Sequence, residues 1–158
     1  MTTAAWGATA PDAAVAPIAI TRRDLRPGDV AIAIRYCGVC HSDLHTARND
    51  WGRTKYPVVP GHEIVGEVTA VGPDVGKFAV GDRVAVGCMV DSCLKCDACL
   101  DDQEQYCREG LSGTYGGTDR IDGSSNHGGY SSDIVVREEF VLRIPDSMDM
   151  ARAAPLLC

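Results

Sequence analysis

The sequence predicts a mostly β chain, arranged as a barrel or sandwich of short strands. Three observations carry this. Short runs rich in β-branched residues recur along the chain, turns containing Gly and Pro separate them, and helical patterning is poor until Met148. Residues 1–14 are small and predict a loose arm ahead of the domain proper, which is expected over 15–158. Val15 to Ile20 is apolar and predicts the first strand. Val30 to Tyr36 (VAIAIRY) follows the turn signal Pro27-Gly28-Asp29 and predicts the second. Ser42 to Arg48 has room for one helical turn. Ile64 to Val71 (IVGEVTAV) is a strand closed by Gly72-Pro73, and Arg83 to Val86 is another after Gly81-Asp82. Residues 112–129, rich in Gly, Ser, Thr and Asp, predict a long surface loop. Ser131 to Val136 and Phe140 to Ile144 predict two last strands, and Ala-rich Met148 to Leu157 a helix. There is no internal repeat.

Composition narrows the function. The 158 residues carry a net charge of −7, which argues against nucleic-acid binding and against a basic membrane-surface helix. No apolar run approaches the roughly 18 residues of a membrane span. Met1 to Pro11 lacks the pattern of a secretory signal, so a cytoplasmic location is the expectation. Eight cysteines then call for metal binding or catalysis rather than disulfides.

Four of them form the run Cys93, Cys96, Cys99 and Cys107, spaced C-x2-C-x2-C-x7-C. Two intervening residues let the backbone fold under an ion, and four thiolates close a tetrahedron. Such a site has no open position and is structural. Zinc is the expected ion, although four thiolates alone do not exclude iron. Cys88 lies outside the spacing and is expected to be a small core residue.

A second constellation spans Cys37-x2-Cys40-His41 and Pro60-Gly61-His62-Glu63. Alone, the first part matches a c-type haem attachment or a redox pair using Cys37 and Cys40. The β-rich surroundings and the lack of an export signal rank both below a metal site. A catalytic zinc takes about three protein ligands and keeps one open position. Cys40, His62 and Cys158 would supply them.

The segments GVCHSD (38–43), GHEIVGEVTAVG (61–72), GDRVAVG (81–87), the four-cysteine run and APLLC (154–158) occur in order. Together they strongly resemble the zinc-dependent medium-chain alcohol dehydrogenases. CHSDLHTARNDWG (40–52) and GCMVDSCLKCDAC (87–99) are most similar to the cinnamyl-alcohol-dehydrogenase-like branch of aldehyde reductases. The resemblance implies a GroES-like catalytic domain holding two Zn2+ ions. Cys40, His62 and Cys158 would bind the catalytic zinc, with Glu63 able to bind transiently beside them, while Cys93, Cys96, Cys99 and Cys107 would bind the structural one. Asp43 would orient His62. Ser42 would accept the substrate proton and His45 would pass it on by way of the cofactor ribose. His41 would approach the cofactor pyrophosphate. Trp51 would line the substrate pocket; plain core packing is the other reading of that residue. His127 is read as a loop residue and Cys37 as a packed thiol.

The implied reaction is hydride transfer between NAD(P), with NADP favoured, and a primary alcohol or aldehyde. No strand–GxGxxG–helix unit occurs in the chain, so no dinucleotide-binding domain is encoded in it. The expectation is therefore a fragment that ends before the cofactor domain and is inactive alone, from a parent expected to be a homodimer. Two alternatives stay open: a non-catalytic zinc-binding structural or interaction domain, and a redox or haem protein using Cys37 and Cys40.

Overall fold

A computed structural model describes residues 2–158. Its centre is a five-stranded antiparallel sheet in the order β8-β3-β4-β5-β9, built from β3 (Asp29–Cys37), β4 (Ile64–Val71), β5 (Arg83–Val86), β8 (Asp133–Arg137) and β9 (Leu142–Arg143). Alternation along these strands directs Val30, Ile32, Ile64, Val68, Val84, Val86, Ile134 and Val136 into one core. Val65 and Ala85 point to the opposite face. There they meet Ala153 and Ala154 at the chain's end. β4 is thus apolar on both faces, as its near-continuous aliphatic run requires. The sheet register matters for function because Cys37 pairs with Ile64. That pairing sets the segment after β3 beside the segment before β4.

The loose arm expected over residues 1–14 is corrected. β1 (Thr2–Gly7) pairs antiparallel with β2 (Ala16–Thr21), and Trp6 N–H donates to the Tyr130 carbonyl at 2.7 Å. Thr3, Ala5 and Gly7 alternate inward. They are too small to stand out as a hydrophobic period, and this is why the strand is inconspicuous in the sequence.

Other boundaries also moved. The single turn expected within 42–48 is a two-turn helix, α1 (His41–Arg48), stopped at Asn49 in the left-handed region (φ 59°). The strand expected over 140–144 is a 3-10 turn at Glu138–Phe140 followed by the short β9. The final helix is split into α3 (Met150–Ala153) and a 3-10 turn, Ala154–Leu157, because Pro155 has no amide to donate backwards. A lobe between β5 and β8 contains β6 (Met89–Asp91), α2 (Asp97–Leu100) and β7 (Ser112–Gly113), none of them anticipated. The stretch 112–129 is therefore an organised excursion, closed by a bridge between Thr118 and Ser125. No helix among the described residues is long and apolar enough to cross a membrane.

Candidate metal centres

The ligand atoms of Cys93, Cys96, Cys99 and Cys107 all lie within 4.8 Å of one another. Four thiolates at a Zn–S distance of ~2.3 Å would stand about 3.8 Å apart by tetrahedral geometry. The sulfurs of Cys93 and Cys99 are 3.8 Å apart, and those of Cys96 and Cys99 are 3.5 Å apart. Backbone amides face the sulfurs as donors: Cys93 N–H to Cys107 at 3.3 Å, Cys96 N–H to Cys93 at 3.3 Å, Arg108 N–H to Cys96 at 3.4 Å. These dipoles favour thiolate, and the Arg108 and Cys99 amides bring Cys96 down to about 6. The donor set fits a closed zinc site.

The second cluster is Cys40, His62, Glu63 and Cys158, again within 4.8 Å. Each member is delivered by local structure. Cys40 stands at the N-cap of α1, where amide dipoles favour a negative sulfur. The Ser42 hydroxyl at 3.1 Å and the Ser42 amide lower its pKa. Cys158 closes the final 3-10 turn with its sulfur 3.4 Å from that of Cys40, whose hydrogen bond and charge push the Cys158 thiol upward. His62 and Glu63 follow Gly61, which sits at φ 98°; a Cβ there would fall 2.7 Å from the Tyr130 ring and 2.8 Å from the Cys37 sulfur. Glu63 is buried and fills the space that a side chain at position 38 would need. The glycines of both motifs are therefore steric requirements of the cluster. Two thiolates, an imidazole and a neighbouring carboxylate suit zinc with an exchangeable position.

Asp43 organises the surroundings. Its carboxylate accepts from Cys40 N–H, Gly61 N–H and the Tyr130 hydroxyl, each at 2.9 Å. It ties together three segments distant in sequence. Its nearer oxygen is 3.8 Å from His62 Nδ1, beyond hydrogen-bond length. A closer partner of that nitrogen is Tyr115, whose hydroxyl lies 3.2 Å from Nδ1 and 3.3 Å from Ser42 Oγ. Burial raises the pKa of both Tyr115 and Tyr130, which keeps them protonated. Neither tyrosine was selected from the sequence. Each is one tyrosine in a Gly-rich stretch with no metal-ligand spacing.

His45 and His41 stack at 4.7 Å on the outer side of α1, and His45 Nδ1 meets Asp50 at 2.8 Å. Ser42 is engaged with Cys40 and Tyr115. Trp51 is half exposed, 5.3 Å from His45, and lines a cavity of about 300 Å3 with Thr46, Arg53, Thr54, Leu111 and Tyr115. Among the described residues it is not packed into a core.

The remaining cysteines separate. Cys37 lies against Gly61 and Gly129, and burial pushes it up to about 12, whereas Cys40 faces Cys158. Cys37 and Cys40 thus face different surroundings. Cys88 is exposed, against the core position expected, because the chain leaves the sheet just after β5. His127 lies in the 112–129 excursion, outside both clusters.

A family model described as the alcohol dehydrogenase GroES-like domain matches residues 26–146. The chain is 55% identical, over 99% of its length and 45% of the relative's, to "NADP-dependent alcohol dehydrogenase C 1" of Mycolicibacterium smegmatis. It is 46% identical, over 97% of its length and 42% of the relative's, to "Probable cinnamyl alcohol dehydrogenase 6" of Arabidopsis thaliana. A solved cinnamyl alcohol dehydrogenase from Sorghum bicolor superposes with a TM-score of 0.96 at 44% identity, covering 100% of this chain and 45% of that one. The CAD from Helicobacter pylori, solved with NADP(H), gives 0.96 at 40% identity over 100% and 46%. The chain thus spans about half the length of the relatives it matches. By fold, by sequence and by the family model that spans its sheet, the chain belongs to the alcohol dehydrogenase GroES-like domain family.

Proposed function

We propose that these residues form the metal- and substrate-binding half of an NADP-dependent alcohol dehydrogenase acting on primary alcohols and aldehydes. The observation that carries this reading is the convergence of Cys40, His62 and Cys158, with Glu63 beside them and the Ser42 hydroxyl 3.1 Å from the Cys40 sulfur. In this reading Cys40, His62 and Cys158 hold a zinc ion, and Cys93, Cys96, Cys99 and Cys107 hold a second. Zinc at the first site, when bound, supplies Lewis-acid polarisation of the substrate oxygen. The chain's own groups do the rest. Ser42 takes the substrate hydroxyl proton, and His45, held at Nδ1 by Asp50, passes it outward. Glu63, beside these three ligands, would be able to bind the ion transiently. His41, exposed beside His45, faces the nucleotide. The Trp51 cavity takes the apolar part of the substrate.

NADP is assigned on the names of relatives such as the Mycolicibacterium enzyme. The described residues hold no βαβ nucleotide-binding unit. Metal analysis of the purified chain should give two zinc ions. His62→Ala should leave one and Cys96→Ser should remove the other. NADPH-dependent aldehyde reduction by the 158-residue chain alone should be absent. Robust turnover by it would show that these residues suffice for the reaction, whereas a single zinc that His62→Ala does not affect overturns the assignment.

A further inference from the structure

We propose that Tyr115 is a positioning residue of the Cys40–His62–Cys158 site, its hydroxyl fixing both the tautomer of His62 and the orientation of Ser42. The inference rests on the reading that His62 is a metal ligand. Its basis is a continuous chain of contacts: His62 Nδ1 to Tyr115 Oη at 3.2 Å, Tyr115 Oη to Ser42 Oγ at 3.3 Å, and Ser42 Oγ to Cys40 Sγ at 3.1 Å. The Tyr115 ring also stacks on the His62 ring, with centroids 5.6 Å apart and planes 22° from parallel.

Proton counting fixes the direction of the chain. Each hydroxyl has one hydrogen to give. Ser42 donates to the Cys40 sulfur, so its oxygen is free to accept from Tyr115. The single Tyr115 hydrogen goes to Ser42 or to the neighbouring Asp43 carboxylate, and in either case Tyr115 can only accept from His62, which then carries its proton on Nδ1. Asp43, 3.8 Å from the same nitrogen, favours a proton there electrostatically. Nε2 is then left with a free lone pair for a metal. The reverse order would put the proton on Nε2 and remove His62 as a ligand. Two ligands and the proton acceptor are thus joined through one phenol.

Tyr115 is itself held. The neighbouring Thr114 donates from its backbone to the Cys88 carbonyl at 3.2 Å and from its hydroxyl to the Gly87 carbonyl. Gly116 N–H donates to the Asn126 carbonyl at 3.2 Å, and the Asn126 side chain returns to the Gly113 carbonyl at 2.9 Å. The 112–129 excursion, which looks like plain loop in sequence, thereby delivers a rigid hydroxyl into the site.

The first test is metal release from the zinc-loaded 158-residue chain to a chromogenic chelator, with the four-cysteine site as internal reference. Losing an outer hydrogen-bond partner of a ligating His typically costs about 10- to 100-fold in metal affinity. Tyr115→Phe should therefore speed release from the Cys40 site at least about 10-fold and leave the reference site unchanged. Ser42→Ala should add less in the Tyr115→Phe background than alone, since both cut one chain. Release within two-fold of the parent, equal acceleration at both sites, or strictly additive effects overturn the proposal. The second test needs no variant. The 15N shifts of His62 in the metal-free labelled chain should show the proton on Nδ1, and a proton on Nε2 overturns it. If the Cys40 site takes no zinc, the functional reading fails, and the His62 tautomer still decides the role of Tyr115.

Discussion

At the scale of single residues, charge compensation inside the fold sets an acid limit. The Asp119 carboxyl is buried, which alone would raise its pKa. The Arg26 fork, at 2.8 and 3.1 Å, and the amides of Ile121 and Asp122 outweigh burial and hold it at about 2. A depressed carboxyl contributes stability that is complete above its usual pKa near 3.8 and is lost as pH falls through about 2. The shift corresponds to about 2 kcal/mol. Asp119→Asn should lower stability at neutral pH by about that much and flatten the acid limb of a denaturation series. An unchanged limb would show that Asp119 is not the group concerned. The same scale explains the clarity of the four-cysteine motif. Its donors are separated by two or seven residues, so a local turn suffices to bring them together.

At the scale of elements, the segment entering β8 is held by one buried cation. Arg22 donates to the carbonyls of Gly128 at 2.8 Å and Asp133 at 3.0 Å, to that of His127, and to the Ser131 hydroxyl at 2.7 Å. Burial lowers its pKa to about 10, partly offset by Asp133, and the side chain stays charged at neutral pH. The segment it fixes carries Tyr130, which bonds Asp43 and thereby supports both Cys40 and Gly61. Arg22→Met strands several buried carbonyls and should cost about 3–5 kcal/mol in chemical denaturation. Arg22→Lys keeps the charge without the planar fork and should fall between. A loss below about 1 kcal/mol for Arg22→Met would remove the residue from this role. Sequence patterning located β4 and β5 to the residue, since their aliphatic runs are long and bounded by Gly turns. It missed β1, whose inward residues are small, and it missed β6 and β7, whose pairing spans the cysteine lobe.

At the scale of the whole molecule, two kinds of cohesion coexist. The sheet is held by aliphatic burial. The lobe over residues 93–110 buries little except Cys99 and Cys107, so in the zinc-binding reading proposed above its order would rest on the ion. Structural zinc in small domains contributes about 10–16 kcal/mol of apparent binding energy at neutral pH. Stripping both sites with a strong chelator should therefore abolish hydrogen-exchange protection around Cys96 to Cys107. Protection of Ile32, Val65 and Val84 in the sheet should survive. Equal loss in both regions would mean that the lobe and sheet unfold as one unit.

The sequence by itself determined the donor types, the spacing of the four-cysteine run and the β character, because these depend on covalent spacing and local alternation. It also held the motifs through which the family is recognisable. Only the tertiary structure decided that Cys40, His62, Glu63 and Cys158 converge. Cys40 and Cys158 are 118 positions apart, and no local rule fixes such a distance. The register of β3 on β4 and the packing of the last turn on β5 bring them to 3.4 Å, with Asp43 and Tyr115 closing the surroundings.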